Sequence, residues 1–126
     1  KNNASSRYLN SAIFKKAKEL HNFHIMGFRD YLTLPSYQKG LSVCLLPYVI
    51  NKYTFNVYPN KVHQYLAGGR PVVSTDLPEM QPFDDVVSIA KSHRGFLALV
   101  ETALQSNSQE HIAKRIEIAK KKIYDW

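Results

Sequence analysis

The chain has 126 residues, 44% of them hydrophobic and 21% charged; this composition fits one globular domain and excludes a disordered tail. Its longest apolar stretch, residues 41–50, is interrupted by Pro47 and is too short to span a bilayer. The net charge of +7 invites a nucleic-acid reading, but the excess lies at the ends: +4 over residues 1–20, +2 over 109–126 and only +1 over 21–108. Terminal helix faces in solvent account for that pattern, so no nucleic-acid partner is expected. The single cysteine, Cys44, excludes an internal disulfide framework and points to a reducing compartment. A cytoplasmic location follows as the expectation, with Cys44 a small buried hydrophobe in its apolar run.

In chain order, Leu9, Ile13, Ala17 and Leu20 form the stripe of an amphipathic helix over roughly 8–20. HNFHIMG (21–27) reads as a short strand ended by Gly27, and residues 28–40 as a loop and brief helix bounded by Pro35 and Gly40. LSVCLLP (41–47) has the continuous apolar character of a strand buried on both faces. Residues 48–58 lack helical periodicity and read as a loop. Pro59 is placed at the start of a helix whose core stripe is Val62, Tyr65 and Leu66, with Gly68 and Gly69 ending it.

RPVVSTD (70–76) is a second buried strand, LPEMQPFDD (77–85) a turn-like segment, and VVSIA (86–90) a further short strand. Ser92 is positioned to cap a helix carrying Phe96, Leu97, Val100 and Leu104. After a break at 106–109, Ile112, Ile116, Ala119 and Ile123 mark a last amphipathic helix. Helices alternating with short apolar strands predict an α/β fold: a Rossmann-like parallel sheet with helices on both faces. The chain opens on one helix pattern and stops within another. It therefore reads as a single domain, residues 1–126, excised from a larger protein.

In an open parallel sheet, ligands gather beyond the carboxyl ends of the strands. That rule selects residues 27–29, 47–58, 76–79 and 91–95. The second segment runs into the Pro59 helix, where the N–H groups of Asn60, Lys61 and Val62 are expected to be exposed and Tyr58 is a poor cap. Such an opening attracts anions, phosphate included. At about 100° per residue, Asn60, Lys61 and Gln64 fall on the face of that helix opposite Val62 and Leu66.

The stretch NVYPNKVHQYLAGGRPVVSTDLPEM (56–80) resembles the donor-binding core of GT-B glycosyltransferases, especially the family-four type. Those enzymes carry a Pro-Lys helix running into Glu-Tyr-Leu-Ala, then a Gly-x-Pro-Val-Val strand and a Leu-Pro-Glu turn. Residues 22–48 are similar to the family's strand-Gly-loop, Leu-Pro-x-Tyr helix and Leu-Leu-Pro strand. The likeness covers about residues 20–105.

The resemblance implies one half of a GT-B fold, the C-terminal domain that binds a UDP- or GDP-sugar. Gly27, Phe28 and Arg29 would then border the base, and Tyr58, Pro59, Asn60 and Lys61 would meet the diphosphate and sugar. Gln64 stands where the family has a ribose-binding Glu, and Asn56 about where another family Glu falls. An amide accepts one hydroxyl and donates to another, but it loses the charge-assisted bond.

No catalytic residue is assigned within the chain, and neither a metal nor another cofactor is expected, since family members transfer sugars without one. The acceptor, a saccharide, cell-envelope glycan or lipid-linked saccharide, would come through an N-terminal domain outside this chain. Peripheral association of the full-length protein with a membrane is a further implication, and the fragment alone is expected to be inactive. The residues leave an alternative open: a non-catalytic α/β module that binds a nucleotide or a partner, for which the two missing carboxylates speak. A basic nucleic-acid module has only the net charge in its favour.

Overall fold

The computed structural model describes residues 11–105 and 107–124. The chain divides into two compact units, Lys1–Tyr31 and Leu32–Trp126.

In the first unit, helix α1 (Ala12–Lys18) begins at Ser11, whose hydroxyl accepts from the Phe14 amide at 3.2 Å. That is the usual way to satisfy an orphan N–H at a helix start. Phe14 meets Phe23 edge-to-face, with ring centroids 6.3 Å apart. Two expectations fail in this unit. The stripe is not buried, since Ile13 is 83% exposed and α1 buries no residue; Leu9 and the rest of residues 8–10 lie outside the described residues. Residues 21–27 form no strand, because Phe23, Ile25 and Met26 are exposed and a strand is stable only with a partner to take its backbone bonds.

The second unit is built on three parallel strands in the order β1 (Cys44–Leu46), β2 (Val72–Thr75), β3 (Val87–Ala90). Their register aligns Cys44 with Val72 and Val72 with Val87. Between the strands come the other elements. Helix α2 (Leu34–Lys39) precedes β1, α3 (Lys61–Ala67) joins β1 to β2, and a 3-10 helix (Pro78–Phe83) joins β2 to β3. Helices α4 (His93–Gln105) and α5 (Gln109–Tyr124) follow. The result is the expected Rossmann-like α/β architecture with helices on both sheet faces.

Alternation along the strands sorts the two faces. Cys44, Leu46, Val72 and Val87 join Val62 and Leu66 of α3, Met80 and Phe83 of the 3-10 helix and Ala119 of α5 in one buried core. Val73 and Ala90 point to the other face, also buried, where α4 packs on β2 and β3. β1 departs from expectation: it is an edge strand, and Leu45 is 42% exposed. Burial pushes the Cys44 thiol up to about 11, partly offset by the Arg70 charge. It therefore stays protonated and unreactive at neutral pH.

The segment 77–85 is more ordered than a turn, because Met80 and Phe83 turn into the core and draw the chain into a 3-10 helix. In α4 the apolar face is rotated from the expected one. Leu97 is 69% exposed and Leu104 also faces solvent, whereas Phe96, Leu99, Val100 and Ala103 turn inward. Ser92 does cap it, accepting from the Gly95 amide at 2.9 Å. Helix α5 turns Ala119 into the core with Ile112 and Ile116 half-buried; the Ile123 side chain lies outside the described residues. Among those residues no helix is long and apolar enough to cross a membrane.

Helix α5 also carries a buried charge, Arg115, 7% exposed. Its Nη1 donates to the Gly69 carbonyl and to Asn107 Oδ1, both at 3.1 Å. This ties α5 to the turn between α3 and β2. Burial, with the Arg70 charge added, pulls the Arg115 pKa down. At the same turn Gly69 has φ +74°, and a Cβ there would lie 2.7 Å from Ile112 Cγ2. Gly69→Ala therefore combines a left-handed backbone with an overlap against α5. Urea unfolding is expected to register a loss of about 2 kcal/mol, with Gly68→Ala, where contacts are ordinary, the milder control.

Candidate functional site at the strand tips

Because the strands are parallel, their carboxyl ends open on one side of the second unit. The segment after β1 (Pro47 to Ile50), the end of β2 (Thr75 and Asp76) and the segment after β3 (Ala90 to His93) line a single cavity of about 630 Å³, with Phe96 of α4. A smaller cavity of about 220 Å³ lies between the tip of β1 and Lys61, and it shares Pro47 and Tyr48 with the first. A third, about 440 Å³, runs along β3, with Asp84, Asp85, Lys91, His111 and Lys114 among its lining.

Lys61 is exposed at the first position of α3 and lines the smaller cavity. The helix start differs in detail from expectation. It begins at Lys61 rather than Pro59, and the Val62 amide already donates to the Pro59 carbonyl at 3.1 Å. The His63 amide donates to the Asn60 carbonyl at 3.3 Å. Pro59 is buried and presets this tight turn, so fewer N–H groups remain for a ligand. Asn60 occupies the cap position without a side-chain capping bond. With a helix of seven residues, the positive character of this end comes mainly from the Lys61 ammonium.

Tyr58 is half-buried beneath the turn. Its hydroxyl lies 2.7 Å from His63 Nε2, and its ring packs 6.3 Å from Phe83. Burial, and to a lesser extent Glu79, raises its pKa, while burial and then Lys122 lower that of His63. Both groups are neutral at pH 7, and together they support the turn that presents Asn60 and Lys61. Gln64 Oε1 accepts from Gln38 Nε2 of α2 at 2.9 Å, so one of its two functional groups is already engaged.

Gly27, Phe28 and Arg29 belong to the first unit. Gly27 has φ +69°, Phe28 is 92% exposed, and Arg29 Nη1 donates to the Phe28 carbonyl at 3.1 Å.

Two threonines that residue typing did not single out hold the segment after β1. Thr75 Oγ1 donates to the Tyr48 carbonyl at 2.7 Å. Thr54 Oγ1 donates to the next carbonyl, Val49, at 2.5 Å. Thr54 Oγ1 also accepts from the Asn51 amide at 3.0 Å, and Asn51 Oδ1 accepts from the amides of Tyr53 and Thr54 at 2.9 and 3.0 Å. The Asn-x-x-Thr spacing was the available signal, since both residue types bond nearby backbone in turns.

Asp76, Lys91 and His93, from the segments 76–79 and 91–95 that the strand-tip rule selects, line the larger cavity together. Gln81 Nε2 donates to Asp76 Oδ1 at 3.0 Å, holding that carboxylate at the cavity rim.

Against this geometry the chain is similar to TuaH of Bacillus subtilis (strain 168), assigned as a teichuronic acid biosynthesis glycosyltransferase. The two are 31% identical over 101 residues, covering 77% of this chain and 25% of that protein. The chain thus spans about a quarter of the length of the relative it matches. No protein-family model matches the chain, and no solved structure matches it significantly.

Thr54→Val removes the donor to Val49 and the acceptor of the Asn51 amide. Amide hydrogen exchange at Asn51 should accelerate about fivefold, the equivalent of one hydrogen bond of about 1 kcal/mol, and Thr54→Ser should restore the protection.

Proposed function

We propose that this chain is the donor-binding, C-terminal domain of a GT-B glycosyltransferase of the family-four type. It would hold a nucleoside-diphosphate sugar, of UDP or GDP, for transfer to a saccharide acceptor. The observation that carries this reading is the exposed Lys61 ammonium beside the tip of β1, in a cavity that shares Pro47 and Tyr48 with the larger one at the strand tips. Lys61 also stands within the motif stretch 56–80 that carries the resemblance.

Glycosyl transfer passes through an oxocarbenium-like state while negative charge builds on the departing diphosphate. A cation fixed where that charge develops lowers the barrier more than it tightens the ground state. Lys61 fills that role in this reading, with the remaining N–H groups at Asn60 and Lys61 as lesser donors, and no metal is required. Gln64 would meet the ribose through its amide NH₂, since its carbonyl is used by Gln38. The acceptor and any base for the acceptor hydroxyl would come from a second domain, and the relative's name points to teichuronic acid biosynthesis.

One observation favours a second reading. With Gln64 tied to Gln38 and Asn56 in place of a carboxylate, the chain would bind a nucleotide without carrying out transfer. Turnover by the longer protein with a radiolabelled UDP- or GDP-sugar separates the two.

Calorimetric titration with UDP and GDP tests the binding itself. Lys61→Ala is expected to weaken diphosphate binding about tenfold, the value of one charge-assisted contact at an exposed site. Gln64→Glu should tighten it about threefold or more through the ribose, because the carboxylate still accepts from Gln38 and has lone pairs to spare. Unchanged affinity in both variants would remove the donor site from this end of α3.

A further inference from the structure

We propose that the pair Tyr58 and His63 is an acid-sensitive latch on the turn that presents Asn60 and Lys61, shut by the neutral imidazole and released when His63 takes up a proton. Its effect on a bound diphosphate rests on the donor reading above; the latch itself rests on the geometry beneath the turn.

Tyr58 precedes Pro59, and His63 lies in the first turn of α3, so their contact of 2.7 Å spans the whole entry to the helix. The two rings are tilted, with centroids 5.6 Å apart. His63 also meets Phe83 of the 3-10 helix edge-to-face, again at 5.6 Å. Without the latch, the entry keeps the bonds from the Val62 and His63 amides to the carbonyls of Pro59 and Asn60. Those bonds sit at the start of a helix of seven residues with no side-chain cap, and a helix that short is not stable by itself.

The other ring nitrogen makes the latch sensitive to protons. His63 Nδ1 is buried and has no hydrogen-bond partner among the described residues. An imidazolium carries a proton on both nitrogens, so protonation leaves a charged donor where nothing accepts it, which is costly. The Lys122 ammonium of α5, 5.5 Å from the Phe83 ring centroid, further disfavours a cation here, while Glu79 of the 3-10 helix bears on the Tyr58 hydroxyl. Burial and then Lys122 accordingly lower the His63 pKa. Below a pH of about 6.5, the ordinary histidine value, the released form gains a proton that the latched form refuses. The latched population then loses up to about tenfold per pH unit, until the lowered pKa is reached.

The test is hydrogen exchange of the ¹⁵N-labelled chain between pH 7.5 and 5, expressed as protection relative to an unstructured chain. Protection of the Val62 and His63 amides should fall about fivefold between pH 6.5 and 5.5, and the Asn60 and Lys61 amide shifts should move with the His63 ring titration. In His63→Gln, which keeps a donor for Tyr58 but does not titrate, both should be independent of pH over that range. Tyr58→Phe keeps the ring and removes the bond, so protection at Val62 and His63 should drop severalfold already at pH 7.5, a second measure should the first variant fail to fold.

The proposal is overturned if protection at those two amides holds from pH 7.5 to 5, if His63→Gln responds as the parent does, or if Tyr58→Phe exchanges as the parent does at pH 7.5. UDP affinity should fall over the same range more in the parent than in His63→Gln, the difference removing the titration of the ligand's own phosphate. The two readings fail separately. The exchange pattern without any UDP binding removes the donor reading and leaves the latch, and UDP binding without the exchange pattern does the reverse.

Discussion

The parallel alignment of three short strands is the constraint from which the rest of the second unit follows. Pairing Cys44 with Val72 and Val72 with Val87 brings three chain segments, distant in sequence, to end at one place. A parallel pair cannot be closed by a tight turn, so each strand must be followed by a crossover that returns to the far end of the sheet. Each segment leaving a strand tip is therefore free of the ladder, and its polar groups bond to side chains instead. The cavity at those tips is a product of this topology more than of any single residue.

Around that frame, small hydroxyl residues do much of the positioning. Thr75 sits at the last rung of β2 and donates across to the chain leaving β1, while Thr54 takes the next carbonyl from the opposite side. A segment with no secondary structure is thereby given a defined path. The turn into α3 is supported from beneath by Tyr58, His63 and Phe83, with the Lys122 ammonium 5.5 Å from the Phe83 ring centroid. At the other end of α3, Gly69 and Arg115 lock the helix exit against α5. Lys61 is thus carried by an element fixed at both ends.

Burial of Arg115 shows why such fixtures are hard to anticipate. Residue type alone assigns an arginine to solvent, although Arg115 falls three residues after Ile112 and four before Ala119, on the apolar face of the helix. Here it turns inward because the α3–β2 turn offers a carbonyl that has no strand or helix partner, and a guanidinium satisfies it at reach. Helix α4 teaches the same lesson with apolar residues: Leu97 and Leu104 fit a helical stripe as well as Leu99 and Ala103 do, and only the position of β2 and β3 decides which set is covered. In the first unit, the alternation of 21–27 satisfies a strand pattern, yet no partner strand takes its backbone bonds among the described residues.

What the sequence determined alone was local and compositional. The apolar runs at 41–47, 70–76 and 86–90, the Pro59 and Gly68–Gly69 boundaries and the Ser92 cap all follow from the stereochemistry of individual residues, and the motif around Lys61 carries the resemblance to a glycosyltransferase. Tertiary structure decided what depends on distance in space. It made β1 an edge strand, engaged Gln64 with Gln38, and assembled Asp76, Lys91 and His93 around one cavity. The reason is physical: capping, turn preference and periodicity act over a few residues, whereas burial and hydrogen bonding across a cavity depend on which surfaces the folded chain brings together.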